Sequence, residues 1–360
     1  MKRTFKDRIL SCMEEKDIGA LPHVLLHALS LLYGAAIRAR LFFYSSGILK
    51  PKKLRCGVIS VGNLTVGGSG KTPMTIYLAK RLREKGLKVA VVTRGYKRSG
   101  RGVKAVSDGE RTLLGASASG DEPYLMARRL KGVPVIVGKD RFRAGLYAIE
   151  KFSPDVIILD DGFQHIRLKR DVNILLVDGK KGFGSGYLLP RGPLREPEEC
   201  MERADVIMVK GGGRVNGPGI NGVKKFGFFY RPTAFFDSTS IRKNLGMDFL
   251  KGKRVAALAG IADPGSFFDT LKECRAVVVK TIAYPDHHPY TPDDMKRIRE
   301  QARDAEFIVT TEKDLVRLEP LCAAAAEDIP IVALAIEVEV KNADRFLDIV
   351  WKRLETARQR

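Results

Sequence analysis

The stretch Val58-Ile59-Ser60-Val61-Gly62-Asn63-Leu64-Thr65-Val66-Gly67-Gly68-Ser69-Gly70-Lys71-Thr72-Pro73 decides the fold. An apolar tetrad runs into a glycine-rich loop ending in Gly-Lys-Thr, and a helical pattern follows from Thr72 to about Lys85. Strand, loop and helix in that order let main-chain N–H groups wrap a phosphate while a helix N-terminus faces its charge. Thr65, Val66, Gly67, Gly68, Ser69, Gly70, Lys71 and Thr72 are therefore the expected nucleotide cradle. Lys71 would reach the β- and γ-phosphates, and the Thr72 hydroxyl would sit on Mg²⁺. The general signature has glycine where this chain has Thr65. A glycine-rich turn that happens to contain Gly-Lys-Thr is the plainer alternative, and the flanking strand and helix argue against it.

Outward from the loop, short apolar runs alternate with helical patterns. Lys88–Thr93, Val133–Val137, Asp155–Asp160, Val172–Val177 and Ala204–Val209 read as strands, with helices over Glu122–Leu130 and Arg141–Glu150. Continuous apolar runs indicate strands covered on both faces, hence a doubly wound, mostly parallel α/β sheet with its ligand at the carboxyl ends of the strands. The chain turns extended near Phe226–Ser240, and a second alternation starts at Gly252. We expect three parts: an apolar membrane-associating segment at 1–50, a phosphate-loop domain at 51–235, and a smaller α/β domain at 236–360 that closes the cleft.

With 360 residues and 44% hydrophobic content the chain can bury a substantial core, which excludes bulk disorder. Five scattered cysteines without a Cys-x-x-Cys pair argue against a disulfide framework or a zinc site. A net charge of +21 calls for an anionic partner, and position narrows the choice. Leu21–Ile37 is nearly all apolar and is flanked by Lys2, Arg3, Lys6 and Arg8 on one side and Lys50, Lys52, Lys53 and Arg55 on the other. Arg38, Arg40 and two histidines spoil a spanning helix, and acidic residues before the run spoil a secretory signal. A helix lying in the headgroup region of an anionic membrane fits best; a helix buried on the protein's own core and a spanning helix are the alternatives.

Asp160-Asp161-Gly162-Phe163-Gln164-His165 closes an apolar strand, and a carboxylate at that place can hold Mg²⁺ beside a phosphate loop. Asp121 and Glu122, at the start of a helical pattern, suit either capping or proton abstraction. Asp286-His287-His288 permits a proton-shuttling pair or an ordinary polar turn. Thr311-Glu312-Lys313-Asp314 caps or charges the following helix, and the arginines of Pro190–Pro197 could grip phosphate.

In their order along the chain, these motifs resemble the tetraacyldisaccharide 4'-kinase (lipid A 4'-kinase) family. The resemblance rests on Leu32-Tyr33-Gly34, the phosphate loop, Arg94-Gly95-Tyr96, Gly120-Asp121-Glu122-Pro123, Asp160–His165, Gly192–Pro197, Ala259-Gly260-Ile261, Asp286-His287-His288 and Thr311–Asp314. It implies transfer of the ATP γ-phosphate to the 4'-hydroxyl of a lipid-linked disaccharide 1-phosphate, giving lipid IVA at the cytoplasmic face of the bacterial inner membrane. By the same carry-over Asp121 is the base, His287 pairs with it, and Lys71 steadies the phosphates. Thr72 and Asp160 hold Mg²⁺, Asp161 supports the site, and Glu122, Gln164, His165, Arg195 and Glu196 are further contacts. No nucleic acid and no obligate protein partner are implied.

Two rivals remain. Another phosphate-loop kinase or NTPase could act on a soluble phosphorylated substrate, although no Asn-Lys-x-Asp base-reading motif is present. A nucleic-acid-binding ATPase would match the charge, but no aromatic RNA-binding run or zinc finger accompanies it.

Overall fold

The fold comes from a computed structural model that describes residues 20–213, 215, 217–218, 220–237, 244–322 and 329–358. The basic cluster at residues 2–8 and the alanine tract 323–326 lie outside the described residues. Twelve strands form one sheet: β1 (Gly57–Gly62), β2 (Val89–Thr93), β3 (Lys104–Ser107), β4 (Val135–Val137), β5 (Val156–Asp160), β6 (Val172–Asp178), β7 (Val206–Lys210), β8 (Lys224–Asp237), β9 (Arg254–Ala259), β10 (Val277–Ala283), β11 (Phe307–Thr311) and β12 (Ile331–Val340). Their order across the sheet is β10-β9-β11-β12-β8-β7-β6-β1-β5-β2-β4-β3. Every pairing is parallel except β3 with β4 and β8 with β12.

The continuous apolar runs have the expected cause. In β1 and β5, Ile59, Val61 and Ile158 enter a core shared with Met74 and Leu78 of helix α2 (Lys71–Glu84). Their neighbours Val58, Ile157 and Leu159 point to the opposite face, against Ala144 and Ala148 of helix α5 (Arg141–Phe152). Both faces are dry, so polar alternation has no place in these strands. Between them the chain forms the short helix α3 (Ala116–Ser119) and α4 (Asp121–Arg129).

The second half repeats the pattern around β9 and β11, with α6 (Pro264–Glu273), α7 (Pro292–Gln301) and α8 (Glu312–Cys322). It joins the first half through β8, which pairs with β7 over its first five residues and with β12 along most of its length. A bulge opposite Ala335 and Ile336 leaves Thr233 unpaired in the register, and such an insertion bends a strand and increases its twist. The last helix, α9 (Ala343–Arg358), returns to the first half, where Phe346, Val350 and Leu354 join the core beside Ile59 and Val61.

The apolar N-terminal run is helix α1 (Ala20–Ser45), the one helix among the described residues that is long and apolar enough to cross a membrane. It is not a core helix. Only 17% of its most apolar window is buried, and Val24, Leu25, Leu31, Leu32 and Phe42 all face outward. A narrow stripe docks instead. Leu26 is buried, the Ser30 hydroxyl donates to the Leu188 carbonyl at 2.8 Å, and the Tyr33 hydroxyl donates to the Arg195 carbonyl at 2.8 Å. Further along, Arg40 donates to the Gln164 carbonyl at 3.0 Å.

Candidate active site

The phosphate loop links β1 to α2, and Gly70 stands at the helix N-terminus with φ +87°. Glycine is required there twice over. The left-handed backbone disfavours any side chain, and a Cβ would fall on the hydroxyl of Tyr230. The Lys71 ammonium lies at the mouth of the loop, 3.2 Å from Asn63 Oδ1, 3.4 Å from the Gly67 carbonyl and 3.8 Å from Asp161 Oδ1. Thr65 turns the loop: Asn63 donates to its carbonyl at 2.7 Å, and the next amide, Val66, donates to the Pro193 carbonyl. Ser69 and Thr72 are buried beneath the loop.

Asp160, at the carboxyl end of β5, is 2% exposed and accepts from the hydroxyls of Thr75 at 3.2 Å and Thr93 at 3.0 Å. Burial, reinforced by the carboxylates of Glu122 and Asp161, pushes its pKa up to about 7. The Lys71 charge offsets only part of that burden, and negative charge so concentrated is the environment that a divalent ion relieves. Among the described residues there is no cluster of three or more acidic, histidine or cysteine ligands. Mg²⁺ bound with a nucleotide does not need one, because it takes one or two carboxylates and fills its octahedron with phosphate oxygens and water. The residues present therefore fit such an ion.

Asp161 (φ +51°) turns out of the strand and meets the Arg195 guanidinium through two contacts, at 2.8 and 3.1 Å. Arg195 also donates to Asn63 Oδ1 at 3.3 Å, so Asn63 ties Lys71 and Arg195 to one buried carbonyl. Gln164 donates to the Asn63 carbonyl at 2.7 Å and to Glu196 at 3.3 Å. Glu196 is buried and ion-paired to Arg203, so it acts on the site through Gln164. His165 is half-buried with its Nε2 unpartnered, and burial together with the Arg141 charge pulls its pKa down to about 4.

The opposite wall is built where α4 meets the second half of the chain. Asp121, the first residue of α4, lies 3.3 Å from His287 Nδ1 and 3.7 Å from Arg317 Nε. Burial would raise the Asp121 pKa, but the contacts with His287 and Arg317 outweigh it and hold the carboxyl below its usual range. The far side of the imidazole, Nε2, is 3.1 Å from the Lys313 ammonium, which donates to Glu122 at 3.1 Å and Asp286 at 3.2 Å. Burial alone would lower the Lys313 pKa; the two carboxylates raise it instead. Tyr96 packs edge-on against the His287 ring, with centroids 5.4 Å apart.

The fold thus brings Asp121 and His287 together across 166 positions of sequence. Sequence reasoning gave no role to Asn63, Lys313, Arg317, Thr75 or Thr93. Lys313 read only as part of a run that caps or charges its helix, Arg317 drew no reading, and only the partners across the cleft reveal them. Asn63 carried one signal, its place two residues before the loop's threonine.

A phosphate cradle and an acid–imidazole pair facing one cleft from two parts of one sheet are the arrangement of a P-loop kinase. The comparisons with known proteins narrow that class. A family model described as tetraacyldisaccharide-1-P 4'-kinase matches residues 22–355, and the chain belongs to this family. It is 41% identical over 359 residues to a tetraacyldisaccharide 4'-kinase of Desulfatibacillum aliphaticivorans, covering 95% of each chain. With a protein of the same name from Syntrophus aciditrophicus (strain SB) it shares 41% identity over 352 residues, covering 92% of this chain and 93% of the other. Among solved structures, it resembles an Aquifex aeolicus LpxK in complex with ATP, with a TM-score of 0.76 and 35% identity, over 93% of this chain and 100% of that one.

Proposed function

We propose that this protein is an ATP-dependent kinase that phosphorylates the 4'-hydroxyl of tetraacyldisaccharide 1-phosphate, giving lipid IVA. The observation that carries the reading is the Asp121–His287 pair, 3.3 Å apart, set opposite a phosphate loop in a member of this family. The 4'-oxygen attacks the γ-phosphorus in line, its bond to phosphorus forms as the bond to the β-phosphate oxygen breaks, and ADP departs. The hydroxyl proton passes to Asp121, which its depressed pKa keeps ionised and ready to accept. His287 orients that carboxylate, and Lys313 with Glu122 and Asp286 fixes the imidazole from behind. Lys71 steadies the β- and γ-phosphates, and Arg195, held by Asp161, presents a second cation to the transferred group. Gln164, held by Glu196, braces Asn63, which in turn accepts from Arg195, and His165 follows on the same loop. Thr72 and Asp160 would hold Mg²⁺, which supplies charge neutralisation at the phosphates when bound.

The domain at 51–235 supplies phosphate loop and base, the one at 236–360 supplies His287, and closure of the cleft completes the site. The apolar face of α1 places the enzyme on its substrate's membrane, as a peripheral protein on the cytoplasmic face of the bacterial inner membrane. Hydrogen bonds at His27, Ser30, Tyr33 and Arg40 pin α1 lengthwise against residues 164–195, an attitude that suits lying in an anionic interface rather than standing across it. Incubation with ATP, Mg²⁺ and the disaccharide 1-phosphate in detergent micelles should yield the bisphosphorylated lipid, and Lys71→Ala should abolish it. Phosphorylation of soluble sugar phosphates with none of the lipid would refute the assignment.

A further inference from the structure

The reaction as described leaves the far end of α4 without a task, yet that end carries two arginines with partners across the cleft. Arg128 Nη1 contacts both carboxylate oxygens of Glu319, at 2.6 and 2.8 Å, and Arg129 Nη1 contacts both of Glu312, at 2.6 and 2.7 Å. All four side chains are at least three-quarters shielded from water. Arg129 also donates through Nη2 to the Ile336 carbonyl at 3.2 Å and lies 3.6 Å from Glu337.

The spacing is informative. Asp121 and Arg128 are seven residues apart, as are Glu122 and Arg129, so each pair shares a stripe of the helix with its members about 10.5 Å apart along the axis. Each stripe begins with an acid and ends with an arginine. Helix α8 answers both. Its cations Lys313 and Arg317 meet Glu122 and Asp121, and its acids Glu312 and Glu319 meet Arg129 and Arg128. A displacement of α4 that carried its arginines toward Lys313 and Arg317 would bring like charges together. Attractive and repulsive terms together therefore select one register, which is how charge patterns specify alignment.

We propose that Arg128 and Arg129 with Glu319 and Glu312 form a register lock between α4 and α8 that sets Asp121 against His287, making these four residues positioning residues for the transfer step. The proposal rests on the assignment of Asp121 as the base. Proton acceptance tolerates little displacement, and an error of about 1 Å in a reacting group can cost about a hundredfold in rate. The lock lies two helical turns along α4 from Asp121, and its ion pairs run to α8 and not to the phosphate loop, so it acts on kcat and leaves nucleotide affinity alone.

The test uses the Arg128–Glu319 pair, since among the described residues Arg128 contacts no second carboxylate. Arg128→Glu and Glu319→Arg should each lower kcat by about tenfold, with ATP affinity within about twofold of the parent. The doubly swapped protein, Arg128→Glu with Glu319→Arg, should recover to within about threefold, and Arg128→Lys should keep most of the rate. Melting temperatures measured alongside separate misfolding from misplacement, and Arg128→Lys serves if a reversal does not fold. Single reversals with unchanged kcat would overturn the lock, as would a folded double swap no better than either single. Failure of the underlying reading looks different: Asp121→Asn would then retain full activity whatever the swap does.

Discussion

Asp121→Asn is the sharpest perturbation available, because it keeps the shape of the side chain and removes its ability to take a proton. Positioned general bases contribute about 10² to 10⁴ in rate, equivalent to roughly 2.7 to 5.4 kcal/mol of barrier. The stability cost should be far smaller. Asp121 is half-buried and its ionic partners are His287 at 3.3 Å and Arg317 at 3.7 Å, contacts that solvent screens down to about 1 kcal/mol together. In a chain of this length that moves the melting temperature by only a few degrees, about 2–4 °C at most. Nucleotide affinity should hold within about twofold, since no residue of the loop from Thr65 to Thr72 is among the Asp121 contacts given above. The assay is kcat at saturating ATP in mixed micelles of the lipid acceptor, with ATP affinity and melting temperature measured on the same preparation. The Asp121 carboxyl sits below its usual range in the folded protein, so its protonation should not limit the parent enzyme between about pH 5 and 8. Turnover of Asp121→Asn within about fivefold of the parent would refute the base assignment. Parallel loss of ATP binding would move the residue's role to the nucleotide site.

Gly70→Ala should weaken ATP binding by more than about tenfold, since a left-handed alanine costs about 1–2 kcal/mol before its Cβ meets the Tyr230 hydroxyl; adding Tyr230→Phe should restore part of that affinity, and no restoration would show that the backbone conformation alone is at fault. His165 has a folded pKa of about 4 against the ordinary 6.5, so the stability that comes from burying it neutral is complete above about pH 6.5 and drains away as pH falls toward 4. Urea unfolding of His165→Gln should therefore show a shallower loss of stability across that window, and an unchanged slope would clear the residue. Leu31→Glu with Leu32→Glu, on the exposed face of α1, should cut binding to anionic vesicles at least about tenfold while leaving activity toward a detergent-dispersed acceptor largely intact. Equal vesicle binding by the variant would exclude α1 as the membrane contact.

The local part of the architecture was legible because its causes are local. The apolar tetrad before Gly62, the glycines and the Gly-Lys-Thr ending specify strand, cradle and helix within twenty residues. The runs that became β2, β5 and β6 are mostly apolar, Asn173 and the terminal polar residues apart, since helices cover both faces of the sheet. Boundaries moved by a residue or two, as with α4, which starts at Asp121 rather than Glu122. Elements that depend on partners were harder to see. Strand β3 is a four-residue antiparallel edge with little pattern, β12 runs on to Val340 because β8 offers a partner, and α9 crosses back to the first half to bury Phe346.

Sequence alone determined that this chain cradles a phosphate and belongs to the sheet-and-helix class, because both are written in the identity and spacing of neighbouring residues. It could not say that Asn63 gathers Lys71 and Arg195, or that Lys313 stands behind His287, since contacts between residues 132 and 26 positions apart leave no periodic trace. The tertiary structure decided those matters, along with the choice between a buried and an exposed α1. Burial and ion pairing are properties of what packs against a side chain, and for this protein the packing comes from segments distant in sequence.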